Sequence, residues 1–144
     1  MRDRFELEIE GKLENLARIG EFIINALREF SLAERKIFDV QLAVDEACAN
    51  IIEYGYADTE EVGMIEIICC KKGEDIVVVI TDAGTPFDPT SVQPPDLNAN
   101  LEERQIGGLG IYFMKRLMDE IKYEFRDGKN VLTMVVHVRN DESE

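Results

Sequence analysis

Phe5, Leu7 and Ile9 alternate with Arg4, Glu6, Glu8 and Glu10, the period-two pattern of a strand with one buried face. Gly11 ends that run. Leu13, Leu16, Ala17, Gly20, Ile23, Ile24 and Leu27 then recur at helical spacing, which predicts an amphipathic helix over about residues 12 to 29. Ser31 and Glu34 fit a capping box opening a second helix, whose buried stripe is Ile37, Val40, Gln41, Val44, Cys48 and Ile51. Met64 to Cys70 and Ile76 to Thr81 are β-rich runs separated by the polar, glycine-containing Lys71 to Asp75, an antiparallel hairpin pattern. Ile76 to Ile80 is apolar at every position, which predicts a central strand covered on both faces or nearly so.

From Asp82 to Arg104 regularity stops, and Pro86, Pro89, Pro94 and Pro95, all the prolines of the chain, fall inside this stretch. A proline-rich loop this long in a compact domain is functional or disordered, and a lid over a ligand, at about 83–108, fits both. Leu109, Tyr112, Phe113, Arg116, Leu117 and Glu120 resume helical spacing and predict a third helix to about Glu120. Tyr123 to Arg126, the turn Asp127 to Asn130, and Val131 to Val138 read as a closing hairpin. The order βααββ, loop, αββ predicts an α+β two-layer sandwich with a mostly antiparallel sheet and helices on one face.

At 144 residues and 45% hydrophobic content, the chain matches one domain with a single core, spanning residues 1–144. Sixteen basic residues against 30 acidic ones leave a net charge of −14, which repels phosphate backbones and anionic lipid and so argues against direct nucleic-acid or membrane binding. The acidic exterior suits a basic protein partner, or simply a well-solvated surface. Cys48, Cys69 and Cys70 have neither disulfide-framework nor zinc spacing and read as packing residues in a reducing compartment. With no apolar run long enough to span a bilayer, the expected location is cytoplasmic.

Three segments carry the candidate chemistry. Glu46 and Asn50 lie four residues apart on the second predicted helix and share a face. Asn50 could offer a hard carboxamide oxygen to a Mg²⁺ that also binds phosphate oxygens, and Glu46 could orient or deprotonate an attacking hydroxyl. The pair equally fits a solvated helix face. Asp82 ends the most apolar strand, where a carboxylate can accept a hydrogen bond from the exocyclic amine of adenine, while Gly84 lets backbone approach a flat base. An ordinary Asp-x-Gly turn is the alternative. Gly107, Gly108, Leu109 and Gly110 open a helix whose free N–H groups attract phosphate. They lack the Walker lysine and the dinucleotide Gly-x-Gly-x-x-Gly pattern. Arg104, just before them, could meet a terminal phosphate or be a solvated loop arginine.

In this order the segments resemble the N box and two glycine boxes of the GHKL (histidine kinase-like) ATPase superfamily, most closely its anti-sigma factor serine/threonine kinases. Val44 to Tyr56 resembles the N box, Asp82 to Pro89 the first glycine box, and Gly107 to Glu120 with Asn130 to Met134 extend the likeness over nearly the whole chain. The resemblance implies a Bergerat-type ATP-binding fold, with a mixed, mostly antiparallel sheet. It implies that Asn50 ligates Mg²⁺, Glu46 is the catalytic base, and Asp82 reads adenine. It also implies that the glycines at 107, 108 and 110 belong to the phosphate lid, Thr133 assists at the adenine end, and Arg104 lies near the γ-phosphate. It further implies a homodimer that holds a sigma factor and phosphorylates a serine or threonine on a small anti-anti-sigma protein of STAS type. Pro86 departs from the common Asp-x-Gly-x-Gly, where the second glycine would stand.

Two other readings remain open at this stage. One is a regulatory module that binds ATP only as a conformational ligand while sequestering a partner. The other is a histidine-kinase catalytic domain detached from its dimerisation helices. The second is the weaker, because the single histidine, His137, falls in the predicted last strand and reads as a structural or surface residue.

Overall fold

The computed structural model describes residues 3–55, 63–86, 88 and 114–138. Five strands and two long helices account for most of them: β1 (Arg4–Glu10), α1 (Leu16–Glu29), α2 (Glu34–Asn50), β2 (Met64–Lys72), β3 (Asp75–Asp82), β4 (Glu120–Arg126) and β5 (Lys129–His137). A further helical stretch, α3, is described over 114–117. The sheet order is β1-β2-β3-β5-β4, and every described pairing is antiparallel. The mixed component expected of the sheet is therefore absent among the described residues. The α+β class and the two-layer arrangement stand.

One face of the sheet packs on α1 and α2. In register, Ile65, Ile67 and Cys69 of β2 face Asp82, Ile80 and Val78 of β3, which in turn face Asn130, Leu132 and Met134 of β5. These side chains are buried with Ile19, Ile23 and Leu27 of α1 and Val40, Val44 and Cys48 of α2. Burial pushes the Cys48 and Cys69 thiols well up, Cys69 to about 12, so both act as small protonated packing groups.

β3 is the central strand expected, buried on one face and half-buried on the other. Val77, Val79 and Thr81 are only half-buried, whereas Ile76, Val78, Ile80 and Asp82 are buried. A continuous apolar run arises here because valines also suit the open face of a central strand, where cross-strand neighbours shield them.

Four boundaries moved for identifiable reasons. Residues 13–15 form a 3₁₀ turn before α1 begins at Leu16. The helix predicted to reach about Glu120 is described only to Leu117, since the Asp119 N–H already bonds the Val135 carbonyl and β4 starts at Glu120. Lys72 pairs with Asp75 across Gly73 and Glu74, so the first hairpin turn is two residues rather than five. In the closing hairpin Arg126 pairs with Lys129, and Asp127 and Gly128 both have positive φ (55° and 77°), as a two-residue type I′ turn requires.

The Ser31–Glu34 capping box does not form. Ala33 is the residue flanking α2, and no side chain caps that end. Ser31 instead terminates α1, with φ 61°. Its N–H reaches the Arg28 carbonyl (3.0 Å) and that of Leu32 reaches Leu27 (3.2 Å), the paired bonds of a Schellman motif. Leu27 and Leu32 are both buried, the apolar contact that such a motif favours. A serine in the left-handed region pays a steric cost that glycine does not, and Ser31 is exposed. Ser31→Gly should therefore raise stability by about 0.5–1 kcal/mol, read as a higher urea midpoint at unchanged slope; a lower midpoint would contradict this account of the helix end.

Candidate functional site

The C-terminal end of α2 and the Asp82 end of the sheet form a cleft of about 440 Å³, open mouth included, lined by Ala47, Asn50, Ile51, Gly55, Ile80, Asp82, Thr85, Tyr123, Asn130 and Leu132. Its floor is apolar because it is the last layer of the core. The polar groups arrive from three elements: Asn50 from α2, Asp82 and Thr85 from β3 and its exit, and Asn130 and Tyr123 from the closing hairpin.

Asp82 is buried, and two donors converge on its Oδ2: the Gly84 N–H at 2.8 Å and Asn130 Nδ2 at 3.2 Å. Its Oδ1 carries no hydrogen bond among the described residues. Burial raises the carboxyl above the ordinary Asp range, and the two hydrogen bonds only partly offset it. Gly84 is required sterically. A Cβ there would come 2.5 Å from the Gly55 carbonyl oxygen and 3.0 Å from Asp82 Oδ2, and the Thr85 N–H donates to that same Gly55 carbonyl at 2.7 Å. The exit of β3 is thus laid directly against the end of α2.

Asn50 is buried, and its Nδ2 has no hydrogen-bond partner. An orphaned buried amide costs about 1–3 kcal/mol, and such groups recur at functional sites. Directly after Asn50 the backbone loosens into a π-helical turn, Ile51–Gly55, a feature frequent at functional sites. Glu46, one turn earlier, is half-buried, and burial followed by the Asp45 and Glu53 charges raises its carboxyl. Such a shift brings a carboxylate nearer the range useful for proton transfer.

Thr133 is not brought to this cleft. It is three residues from Asn130 along β5, and an odd offset places it on the opposite, half-buried face, paired with Val79. The place expected of Thr133 belongs to Asn130, which is buried and accepts from the Tyr123 hydroxyl. Its Nδ2 also lies 3.2 Å from the Gly84 and Thr85 carbonyls. Sequence reading missed both residues. The available signal was parity along β5, since Asn130 shares the buried face with Leu132 and Met134 and pairs with Asp82 of β3. Arg104, Gly107, Gly108, Leu109 and Gly110 lie outside the described residues, as does most of the expected 83–108 lid.

The donor set suits a purine nucleotide with a divalent ion. A hard carboxamide at Asn50, an acceptor oxygen at Asp82 and a glycine-lined approach meet in one cleft, while no cluster of three His, Cys, Asp or Glu side chains forms a protein-only metal cage among the described residues. Magnesium commonly takes one or two protein ligands and completes its shell with waters and phosphate. No helix among the described residues is long and apolar enough to cross a membrane.

Two expectations about this cleft can be measured directly. Because the Asp82 carboxyl is raised, its contribution to stability is fully present below its unfolded value near 3.9 and is lost as pH rises through the higher folded value. The ligand-free Asp82→Asn protein should consequently melt no lower than wild type at neutral pH, with the difference in Tm widening from pH 4 to pH 7; a gap that narrows over this range would contradict the assignment. Gly84→Ala should cost about 1–3 kcal/mol by forcing backbone apart, seen as a drop in urea midpoint.

Residues 9–136 match the histidine kinase-like ATPase domain family. Over 146 aligned positions the chain is 30% identical to a serine-protein kinase RsbW of Bacillus cereus, covering 99% of this chain and 89% of that protein. It is 28% identical, at the same coverage, to the RsbW kinase of Bacillus mycoides. Among solved structures it superposes on the RsbU and RsbW domains of a Mycobacterium tuberculosis protein with a TM-score of 0.69 at 16% identity, covering 95% of this chain and 33% of that one. A histidine kinase domain from Erythrobacter litoralis superposes with a TM-score of 0.57 at 15% identity, covering 90% and 62% respectively. The chain belongs to the histidine kinase-like ATPase domain family, in its branch of RsbW-type serine-protein kinases.

Proposed function

We propose that the protein is an ATP-dependent serine/threonine kinase and anti-sigma factor, which transfers the γ-phosphate of ATP to a serine or threonine of a STAS-type anti-anti-sigma protein and sequesters a sigma factor. The observation that carries this reading is the meeting, within one cleft, of an Asp82 oxygen that takes no hydrogen bond among the described residues with the buried carboxamide of Asn50, whose Nδ2 has no partner among them, one helical turn from the raised carboxyl of Glu46.

In this reading Asp82 Oδ1 accepts from the adenine 6-amino group, while Gly84 and Asn130 hold Oδ2 and fix the orientation of the carboxylate. Guanine would set a carbonyl oxygen against that acceptor, so adenine is selected by an unpaired-acceptor penalty. Asn50 would hold Mg²⁺ through its carboxamide oxygen, and the bound ion supplies charge neutralisation at the phosphates. Glu46 positions the acceptor hydroxyl and takes its proton. The hydroxyl oxygen forms a bond to the γ-phosphorus, and the bond from γ-phosphorus to the bridging oxygen breaks. That electron pair leaves with ADP. Gly107, Gly108, Leu109 and Gly110 would wrap the phosphates, and Arg104 would meet the charge on the transferred group. A homodimer in the cytoplasm that binds sigma factor and acceptor by turns completes the proposal. The net charge of −14 suits the basic surfaces of a DNA-binding partner.

The test is label transfer from γ-labelled ATP with Mg²⁺ to STAS-type proteins encoded beside this one. Glu46→Gln should bind ATP within about twofold of wild type while losing at least about a hundredfold in transfer. Asp82→Asn should weaken ATP binding by tenfold or more, about 1.4 kcal/mol. Nucleotide binding by the wild type with no label on any candidate would instead favour a module that uses ATP only as a conformational ligand.

A further inference from the structure

Asp82, Asn130 and Tyr123 form a polar row across three neighbouring strands whose other residues on that face are apolar. Asn130 of β5 pairs with Asp82 of β3. Tyr123 of β4 pairs with Leu132, which lies two residues beyond Asn130 on the same face of β5. Tyr123 is therefore the diagonal neighbour of Asn130, within reach of a long side chain, and its hydroxyl donates to Asn130 Oδ1. All three residues line the nucleotide cleft.

An asparagine side chain carries one acceptor oxygen and one donor NH2 group. Asn130 Nδ2 lies 3.2 Å from Asp82 Oδ2, from the Gly84 carbonyl and from the Thr85 carbonyl, three acceptor oxygens. Turning the amide over would set its own oxygen against all three, so its acceptor end is directed toward β4. Tyr123 supplies a donor there. Asn130 is buried, and a buried carbonyl deprived of a donor is costly. A hydrogen bond at Oδ1 also polarises the amide and strengthens donation from Nδ2. The hold on Asp82 Oδ2 thereby depends on a hydroxyl two strands away.

We infer that Tyr123 is a positioning residue for base recognition: by holding the Asn130 amide it keeps Asp82 Oδ2 engaged and Oδ1 directed at the exocyclic amine, and so sets the preference for a 6-aminopurine. The inference rests on the adenine reading of Asp82 above and adds the residue that fixes the orientation of the carboxylate. Either oxygen of a freely rotating carboxylate can face a ligand, and a hydrogen bond weakens steeply as it tilts. Here two donors hold Oδ2, the Gly84 N–H at 2.8 Å and Asn130 Nδ2 at 3.2 Å. The first is main chain and moves with the exit of β3. The second is a side chain and needs its own anchor, which Tyr123 provides from a ring packed against the core. The hydroxyl has a single proton and directs it to Asn130, so discrimination of the base runs through Asp82 rather than through Tyr123 itself.

Equilibrium binding of Mg-ATP and of purine riboside triphosphate, which lacks the 6-amino group, tests this. Tyr123→Phe keeps the ring and removes the hydroxyl. It should weaken ATP binding about five- to tenfold while the analogue stays within about twofold of wild type, so that the ratio of the two affinities falls. In an Asn130→Ala background, or Asn130→Leu should the alanine variant fail to fold, adding Tyr123→Phe should change ATP affinity by less than about twofold, because the hydroxyl acts through that amide. An equal loss for ATP and the analogue would make Tyr123 a merely structural residue and overturn the inference. A loss of ATP affinity that persists in full without Asn130 would overturn it too, by showing a direct contact with the nucleotide. Unchanged ATP affinity in Tyr123→Phe, with Asp82→Asn still impaired, would overturn the inference and leave the adenine reading intact. A wild-type protein that binds ATP and the analogue alike would remove both together.

Discussion

The site depends on the parity of β3. Ile76, Val78 and Ile80 point into the core because α1 and α2 cover only that face, and Asp82, two residues further, is carried to the same side by the pleat. A slip of one residue would turn the carboxylate to the open face and the half-buried valines inward. Loss of the isoleucines from the core would cost several kcal/mol, so hydrophobic packing throughout the strand holds one polar side chain at its end. The same parity, transmitted through the Asp82–Asn130 pairing, brings Asn130 to the cleft and sends Thr133 away from it.

A buried carboxylate with a raised pKa and a buried amide without a partner are both unfavourable for folding. They sit within one cleft, next to a π-helical turn and a glycine forced against the backbone of Gly55. Most of the remaining fold follows the local rules, with alternating strands, an amphipathic α1 and a type I′ closing turn, Ser31 at the end of α1 being an exception. Departures concentrated in one place mark groups arranged for a ligand and sustained by the remainder of the core. The Asn130 bridge moderates the cost, since it donates to Asp82 and accepts from Tyr123, tying the carboxylate to the closing hairpin.

Most of the architecture was legible because it is written in periodicity. β1, α1 and the two hairpins follow from alternation and helical spacing over runs of seven or more residues. The misreadings share one physical origin, which is that a local motif has more than one use. Ser31 followed by Glu34 has the letters of a capping box, but a Schellman motif ending α1 with Leu27 and Leu32 in contact claims Ser31 first. An unbroken apolar run at Ile76 to Ile80 does not distinguish a strand covered twice from one shielded by its neighbours. In the site, Glu46, Asn50, Asp82 and Gly84 were legible from their chemistry, whereas Asn130 and Tyr123 were not. Their relevance is created by register: the β3–β5 pairing sets Asn130 opposite Asp82, and the tight turn at Asp127 and Gly128 leaves Asn130 within β5 rather than in the turn.

The position of α2 explains why its polar residues meet different surroundings. A helix packed on a sheet by one stripe leaves two flanks, and here each flank borders a concavity: toward the sheet end, the cleft with Asn50; toward α1, the groove with Leu42 and Phe38. Glu46 lines neither concavity. Its raised carboxyl follows from that ridge position, because partial burial and the charges of Asp45 and Glu53 act on it from its own helix and the turn that follows. A base placed deep in the nucleotide cleft would be shielded from a protein substrate, and one on the outer face would be too well hydrated to shift. The ridge between two concavities supplies partial desolvation and access together, the combination that would suit a carboxylate taking a proton from a hydroxyl.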